Sequence, residues 1–228
     1  QKAYAEGALA LCLYCAKLVD EEHEPEAKAL LGLLTPVAKT WPSEYALAAN
    51  DIAIQIHGGY GYTRDFDVEQ LYRDNRLNPI HEGTTAIQAI DLLGRKILRD
   101  KGEGLAAARA RILATCAEAA KETDLAVHAQ ALKAAWTEIE NTVATLRDAG
   151  SPRAFDNATV FLQAFGHVIV AWLWLDQALA ASGDSDHHKA KRHACRFFME
   201  SELPKTGPWL TFVASLTDVA AATPATYF

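Results

Sequence analysis

Three groups of residues between Ile54 and Gln88 have the types and spacing to do chemistry. Glycines stand at 58, 59 and 61. Lacking a Cβ, they admit positive φ and let another group approach the backbone closely, so this spot suits a ligand's phosphate or a neighbouring chain. Arg73 and Asp74 are adjacent and look buried, and the simplest reading of the pair is a structural one that holds the loop's shape. Glu82 precedes Gly83 and Thr84, where a loop after Pro79 gives way to the apolar-periodic run Ile87, Ile90, Leu93, Ile97. Thr84 or Thr85 is the expected N-cap of that helix, and a carboxylate at such a joint can point into a cleft.

The elements that must position these groups read as helices. The chain has 228 residues, enough to bury roughly 70 to 75% of its unfolded surface as one large domain or two small ones. Gly and Pro are few, at 13 and 8, and alternating Val/Ile/Thr runs are almost absent, so an all-α fold is expected. A formal net charge of −7 argues against nucleic-acid binding by bulk electrostatics. Four cysteines, two of them spaced as Cys12-Leu-Tyr-Cys15, give neither a disulfide framework nor a zinc ligand set; buried, reduced thiols in a cytoplasmic protein are expected. The longest apolar runs, Ala8 to Ala16 and Val168 to Leu175, are shorter than the ~18 residues of a membrane span. No signal peptide is read, and because Gln1 already lies inside a helical pattern the chain is expected to be a fragment.

In order, helices are expected over Gln1 to Val19 and over Ala27 to His57, the second split near Trp41 by Pro36 and Pro42 with Ser43 capping locally. Asp20 to Glu24 is a solvated acidic turn. Helices follow over Val68 to Leu77 and Thr85 to Leu98, then a polar, glycine-containing boundary at Asp100 to Gly104. Beyond it the chain reads as alanine-rich helices over 105–120, 125–149, 153–181 and 187–200, an up-and-down bundle or hairpin array with start and stop chemistry at Ser151-Pro152 and Ser182 to Ser185. His187, His188 and His193 with their neighbouring lysines fit no standard metal spacing and read as a solvated helix face.

The segment QIHGGYGYTRDFDVEQLYRDNRL followed by PIHEGTTAIQ resembles the C-terminal helical domain of the flavin-dependent acyl-CoA dehydrogenases, which carries a Gln-x-x-Gly-Gly-x-Gly-aromatic segment, an Arg-Asp pair and Glu-Gly-Thr in this order and spacing. The resemblance implies such a domain over 1–99 and an added C-terminal helical region over 105–228, which is similar to that of larger members only in kind. It implies α,β-dehydrogenation of an acyl-CoA thioester, with Glu82 as the base for the α proton, FAD as hydride acceptor and a further electron acceptor of unknown identity. By the same carry-over, Gly83 lies against the thioester, and Thr84, Thr85 and Ala86 lie near the flavin dinucleotide. Gln55, Ile56, His57, Gly58 and Gly59 reach the adenine dinucleotide of a neighbouring subunit, which implies at least a dimer. Three departures from the family pattern stand out: Gln70 replaces a Lys or Arg, Ala86 replaces a Gln and so offers only its backbone, and the nearest arginine after the Glu is Arg95. Alone, the fragment is expected to be inactive. Two alternatives from other classes remain: a helical assembly module without chemistry, and a nucleic-acid-associated relative, which would need a more basic added region than 105–228.

Overall fold

The apolar periodicity is realised as ten α-helices among the described residues, 1–150 and 153–227 of a computed structural model, and among these residues there is no strand. Helix α1 (Lys2–Asp20) turns back into α2 (Pro25–His57), and Gln1 reaches the Ala49 carbonyl at 2.9 Å, so the two run antiparallel. Helix α2 is unbroken over 33 residues, although Pro36 and Pro42 lead the sequence to expect a split near Trp41. Its buried stripe of Leu30, Leu33, Leu34, Val37 and Trp41 packs against α1 and the core, which outweighs an interior proline's cost of about 3 kcal/mol. Ser43 does not cap; its hydroxyl and that of Thr35 donate to carbonyls one turn back, Lys39 O at 2.6 Å and Leu31 O at 2.7 Å.

After a 3-10 turn over Gly58–Tyr62 come α3 (Val68–Arg76) and α4 (Thr85–Ile90), which continues as a π-helical segment, Asp91–Leu98. Thr84 is the N-cap of α4, as its position predicts, but makes no side-chain capping bond. Then follow α5 (Glu103–Ala119), α6 (Ala126–Ala149), α7 (Ala158–Ala180) and α8 (Asp186–Phe197), the last running through a π-helical segment and a 3-10 turn into α9 (Thr206–Ala214) and α10 (Val219–Ala222). The expected start signal Ser151-Pro152 lies outside the described residues, and α7 begins only at Ala158. Ser185 does cap α8, its hydroxyl accepting the His188 N–H at 3.3 Å. Sequence periodicity misses α9 because Pro204, Gly207 and Pro208 obscure it.

Helix α7 is the centre of the molecule. Every residue from Phe161 to Leu175 except Gln163 is buried. Its 23 residues are long and apolar enough to cross a membrane, more than the run Val168 to Leu175 suggests, yet 83% of its most apolar window is buried inside this fold. A helix that is apolar all round finds its partners in other helices here: α1, α2, α4, α5, α6, α8 and α9 all pack on it. Two glycines set the closeness: a Cβ at Gly7 would lie 2.8 Å from Val170 Cγ1, and one at Gly166 would lie 2.8 Å from Trp41 Cδ1. Residues from both ends of the chain, Leu11 and Leu34 with Phe165 and Leu210, therefore share one hydrophobic core.

A buried polar chain crosses this core. Trp41 Nε1 donates to His167 Nδ1 at 3.1 Å. An indole can only donate, so Nδ1 is the bare nitrogen and Nε2–H points at Glu202 Oε2, 3.4 Å away. Burial pushes the His167 imidazole down, and Glu202 does not reverse this, so the histidine is neutral at pH 7. Burial alone would push the Glu202 carboxyl up, but hydrogen bonds from His167, Lys205 and Tyr4 outweigh it and hold it at about 2. The charge partner of Glu202 is Lys205, 2.8 Å from both of its oxygens.

The cysteines divide. All four are free, but only Cys116 and Cys195 are buried; Cys12 is exposed and Cys15 intermediate, because α1 leaves one face uncovered. Burial pushes the Cys195 thiol up to about 12.

Candidate functional site

The loop from Leu77 to Thr84 is held at both ends by α2. Lys39 Nζ donates to the Asn78 carbonyl at 2.5 Å, and the Thr85 hydroxyl donates to Glu44 Oε1 at 2.5 Å. The Thr85 amide closes the loop on Pro79 O at 3.3 Å, and Asn75 and Asn78 tie its entry to Asn50 of α2. Between these anchors Glu82 sits at φ +47° and Gly83 at φ +88°. The left-handed region costs a non-glycine residue about 1 kcal/mol, so Glu82 is held there by its surroundings. Its side chain is exposed and has no hydrogen-bond or ion-pair partner among the described residues, so it does not cap α4. The Gln88 amide folds over Gly83, where a Cβ would lie 2.3 Å from Nε2.

Beside the loop, a cavity of about 410 Å³ opens between α2, the start of α4 and α7, lined by Trp41, Glu44, Tyr45, Thr85, Val160 and Gln163. Burial pushes the Tyr45 phenol up, and its oxygen accepts from Gln163 Nε2 at 3.2 Å.

The glycine segment does three different things. Gly58 ends α2 at φ +61°. Gly61 is buried and packs on the helix it follows, where a Cβ would lie 2.5 Å from Ile54 O. Gly59 has nothing within 4 Å of a built Cβ and leaves its backbone open. Gln55, Ile56 and His57 are exposed, with the His57 ring 4.4 Å from that of Phe66. The fold thus gathers Glu82, Gly83, Thr84, Thr85 and Ala86 at one station. It puts Gln55 to Gly59 at another, since Glu44 and His57 lie about 20 Å apart along α2.

The Arg73-Asp74 pair is exposed and does not hold the loop: among the described residues the one ion-pair partner of Arg73 is Glu69, on its own helix, at 3.8 Å. Lys39, Glu44 and Asn50 of α2 and Asn75 of α3 do that work instead, and nothing local in the sequence marks them out from other polar helix residues. On α8, His187 and His193 are exposed, as a solvated face requires, whereas Lys191 and Arg192 are half-buried. Lys191 bonds Glu6 at 2.7 Å and Gln177 at 2.9 Å, and Arg192 bonds the Ala181 carbonyl at 2.8 Å, so these residues tie α8 to α1 and α7.

Residues 2–98 match the family described as acyl-CoA dehydrogenase, C-terminal domain, and residues 109–224 match the one described as acetyl-CoA dehydrogenase C-terminal like. The chain is 33% identical over 219 residues to a 3-methylmercaptopropionyl-CoA dehydrogenase of Ruegeria pomeroyi, covering 89% of this chain and 37% of that protein. It is 34% identical over 230 residues to the broad-specificity linear acyl-CoA dehydrogenase FadE5 of Mycobacterium tuberculosis, covering 90% and 38%. The chain therefore spans less than two-fifths of the length of these relatives. Among solved structures, Caenorhabditis elegans ACDH-11 in complex with C11-CoA superposes with a TM-score of 0.75 at 20% identity, over 96% of this chain and 38% of that one. An acyl-CoA dehydrogenase complexed with FAD from Bacillus anthracis superposes with a TM-score of 0.63 at 18% identity, over 85% and 34%. Both share the helical fold.

Proposed function

The chain belongs to the acyl-CoA dehydrogenase family, and on that premise we propose that Glu82 is the base of a flavin-dependent α,β-dehydrogenation of an acyl-CoA thioester carried out by a longer protein. One observation carries this reading: the Glu82 carboxylate has no partner among the described residues, while the loop that bears it is tied at Asn78 by Lys39 and at Thr85 by Glu44. A proton acceptor needs that combination of an unengaged carboxylate and a rigid mount. Gly83, at φ +88°, has no side chain, so only the flexible Gln88 amide stands between its backbone and an approaching thioester, and Thr84 and Ala86 are exposed beside it for the flavin dinucleotide. The Thr85 hydroxyl is taken by Glu44, so Thr85 acts by holding the loop.

Bound FAD supplies the hydride acceptor. The residues present fit part of such a group: open backbone at Gly59 beside exposed Gln55, Ile56, His57 and Gly58 suits a pyrophosphate or dinucleotide edge. Because this station is remote from Glu82, we assign it to the dinucleotide of a second subunit. Residues 1–99 carry the site, 105–228 form the added region, and the isolated chain is inactive.

Glu82→Gln in the full-length protein tests the base. It is expected to keep flavin and acyl-CoA binding and to slow flavin reduction by about 10²- to 10⁴-fold; an unchanged rate would move the base elsewhere. The large exposed apolar side chains Ile56, Tyr60, Tyr62, Ile87 and Ile90 support self-association of this chain at least to a dimer through its first 98 residues. Sedimentation equilibrium giving a strictly monomeric mass at high micromolar concentration would sink that part.

A further inference from the structure

Resting on the reading of Glu82 as the base, we infer that Glu44, together with Lys39, is a positioning residue for the reaction. The two stand five positions apart on α2, about 7.5 Å along its axis. They grip opposite ends of the Glu82 loop: Lys39 holds the Asn78 carbonyl at its entry and Glu44 holds the Thr85 hydroxyl at its exit. The bond from the Thr85 hydroxyl to the Glu44 carboxylate is charge-assisted, a kind roughly twice as strong as a neutral hydrogen bond. The mount is anchored in the core, because α2 buries Leu33, Leu34 and Val37 ahead of Lys39, and Thr40 and Trp41 between Lys39 and Glu44. What it holds is not at rest. Glu82 at φ +47° relaxes toward ordinary backbone angles once an anchor is released, and its carboxylate moves with it. A displacement of about 1 Å at a reacting group can cost about 10²-fold in rate. Glu44 touches no reacting atom in this scheme; it acts through Thr85 and the loop.

Hydrogen exchange on the chain itself is the first test. The amides of Ile80, His81, Thr85 and Gln88 are bonded within the loop and its exit, to Leu77 O, Leu77 O, Pro79 O and Thr84 O. Glu44→Ala and Thr85→Val are each expected to raise exchange at these amides at least tenfold and to leave α6 and α7 as protected as before. Glu44→Gln keeps an acceptor for the Thr85 hydroxyl and is expected to retain the protection. Parent-like exchange in both Glu44→Ala and Thr85→Val overturns the inference, and so does protection lost equally throughout α6 and α7, which would make Glu44 a residue of the fold rather than of the loop. In the full-length enzyme, Glu44→Ala is expected to slow flavin reduction about 10²-fold without changing acyl-CoA affinity, with Glu44→Gln recovering most of the rate; full speed in Glu44→Ala overturns it too. The exchange arm decides the anchoring whatever Glu82→Gln shows, so failure of the base assignment and failure of this inference are told apart.

Discussion

At the scale of residues, conformation separates glycines that look alike in sequence. Gly83 combines φ +88° with a Gln88 amide lying where a Cβ would go. Gly83→Ala therefore meets the left-handed penalty of about 1 kcal/mol, while the clash itself is cheap because the end of a flexible side chain can swing away. Thermal unfolding of the chain is expected to show a midpoint about 2–4 °C lower. Gly59, in open space and without positive φ, is the control: Gly59→Ala is expected to move the midpoint by no more than its error. Equal midpoints for both variants would remove the backbone argument. The Glu82-Gly83-Thr84 and Gly58-Gly59 clusters were legible in the sequence because three glycines in four positions follow one apolar-periodic run and Glu-Gly-Thr stands directly ahead of the next. The strain at Glu82 was not, since no residue type announces a left-handed glutamate; nor were Lys39 and Glu44, whose partners Asn78 and Thr85 lie some forty residues away.

At the scale of elements, apolar spacing located the helices but not how they end or join. Pro36 and Pro42 carry a local signal to break α2, and only burial that is invisible in a short window overrides it. The same holds where the middle of α7 meets the approach to α9, and His167, Glu202 and Lys205 come together from separate elements, facing Tyr4 of α1 and Trp41 and Tyr45 of α2. This junction makes the fold sensitive to acid, and the sign is the same for both groups. His167 is held below its ordinary 6.5, so the unfolded chain takes up that proton first and stability begins to fall as pH drops below about 6.5. Glu202 is held at about 2 against an ordinary 4.5, so its contribution is whole above 4.5 and is lost progressively from there toward 2. Urea midpoints measured from pH 8 down to pH 3 are expected to fall in these two stages. Glu202→Gln should flatten the lower stage; an unchanged profile in that variant would place the acid sensitivity elsewhere.

At the scale of the whole molecule, the question is whether the stretches matched to two family descriptions, 2–98 and 109–224, unfold apart or together. The bend at 99–102 separates them in sequence, but glycine and charge there report only that the connection is solvated, and Gly104, expected in the boundary, is already buried in α5. Cooperativity depends on what is packed across it. Gly7 and Gly166 bring α1 and α2 into direct contact with α7, Trp174 Nε1 donates to Ala3 O at 3.1 Å, and Arg147 reaches the Ile97 carbonyl at 3.1 Å. Helix α7 is apolar on every side and loses its cover if the first segment leaves, while Trp41 and Leu34 lose theirs if the second does. Neither partial state buries enough to offset the entropy of staying ordered. Unfolding in guanidinium is therefore expected to be one transition. The fluorescence of Trp41, which reports on the first segment, and that of Trp136, Trp172, Trp174 and Trp209, which report on the second, should change at the same midpoint as far-UV circular dichroism when each tryptophan in turn is the only one kept. A Trp41 signal that melts at a separate midpoint would mean that the shared core does not couple the two segments, and that the Glu82 loop rides on a unit whose stability owes nothing to α7.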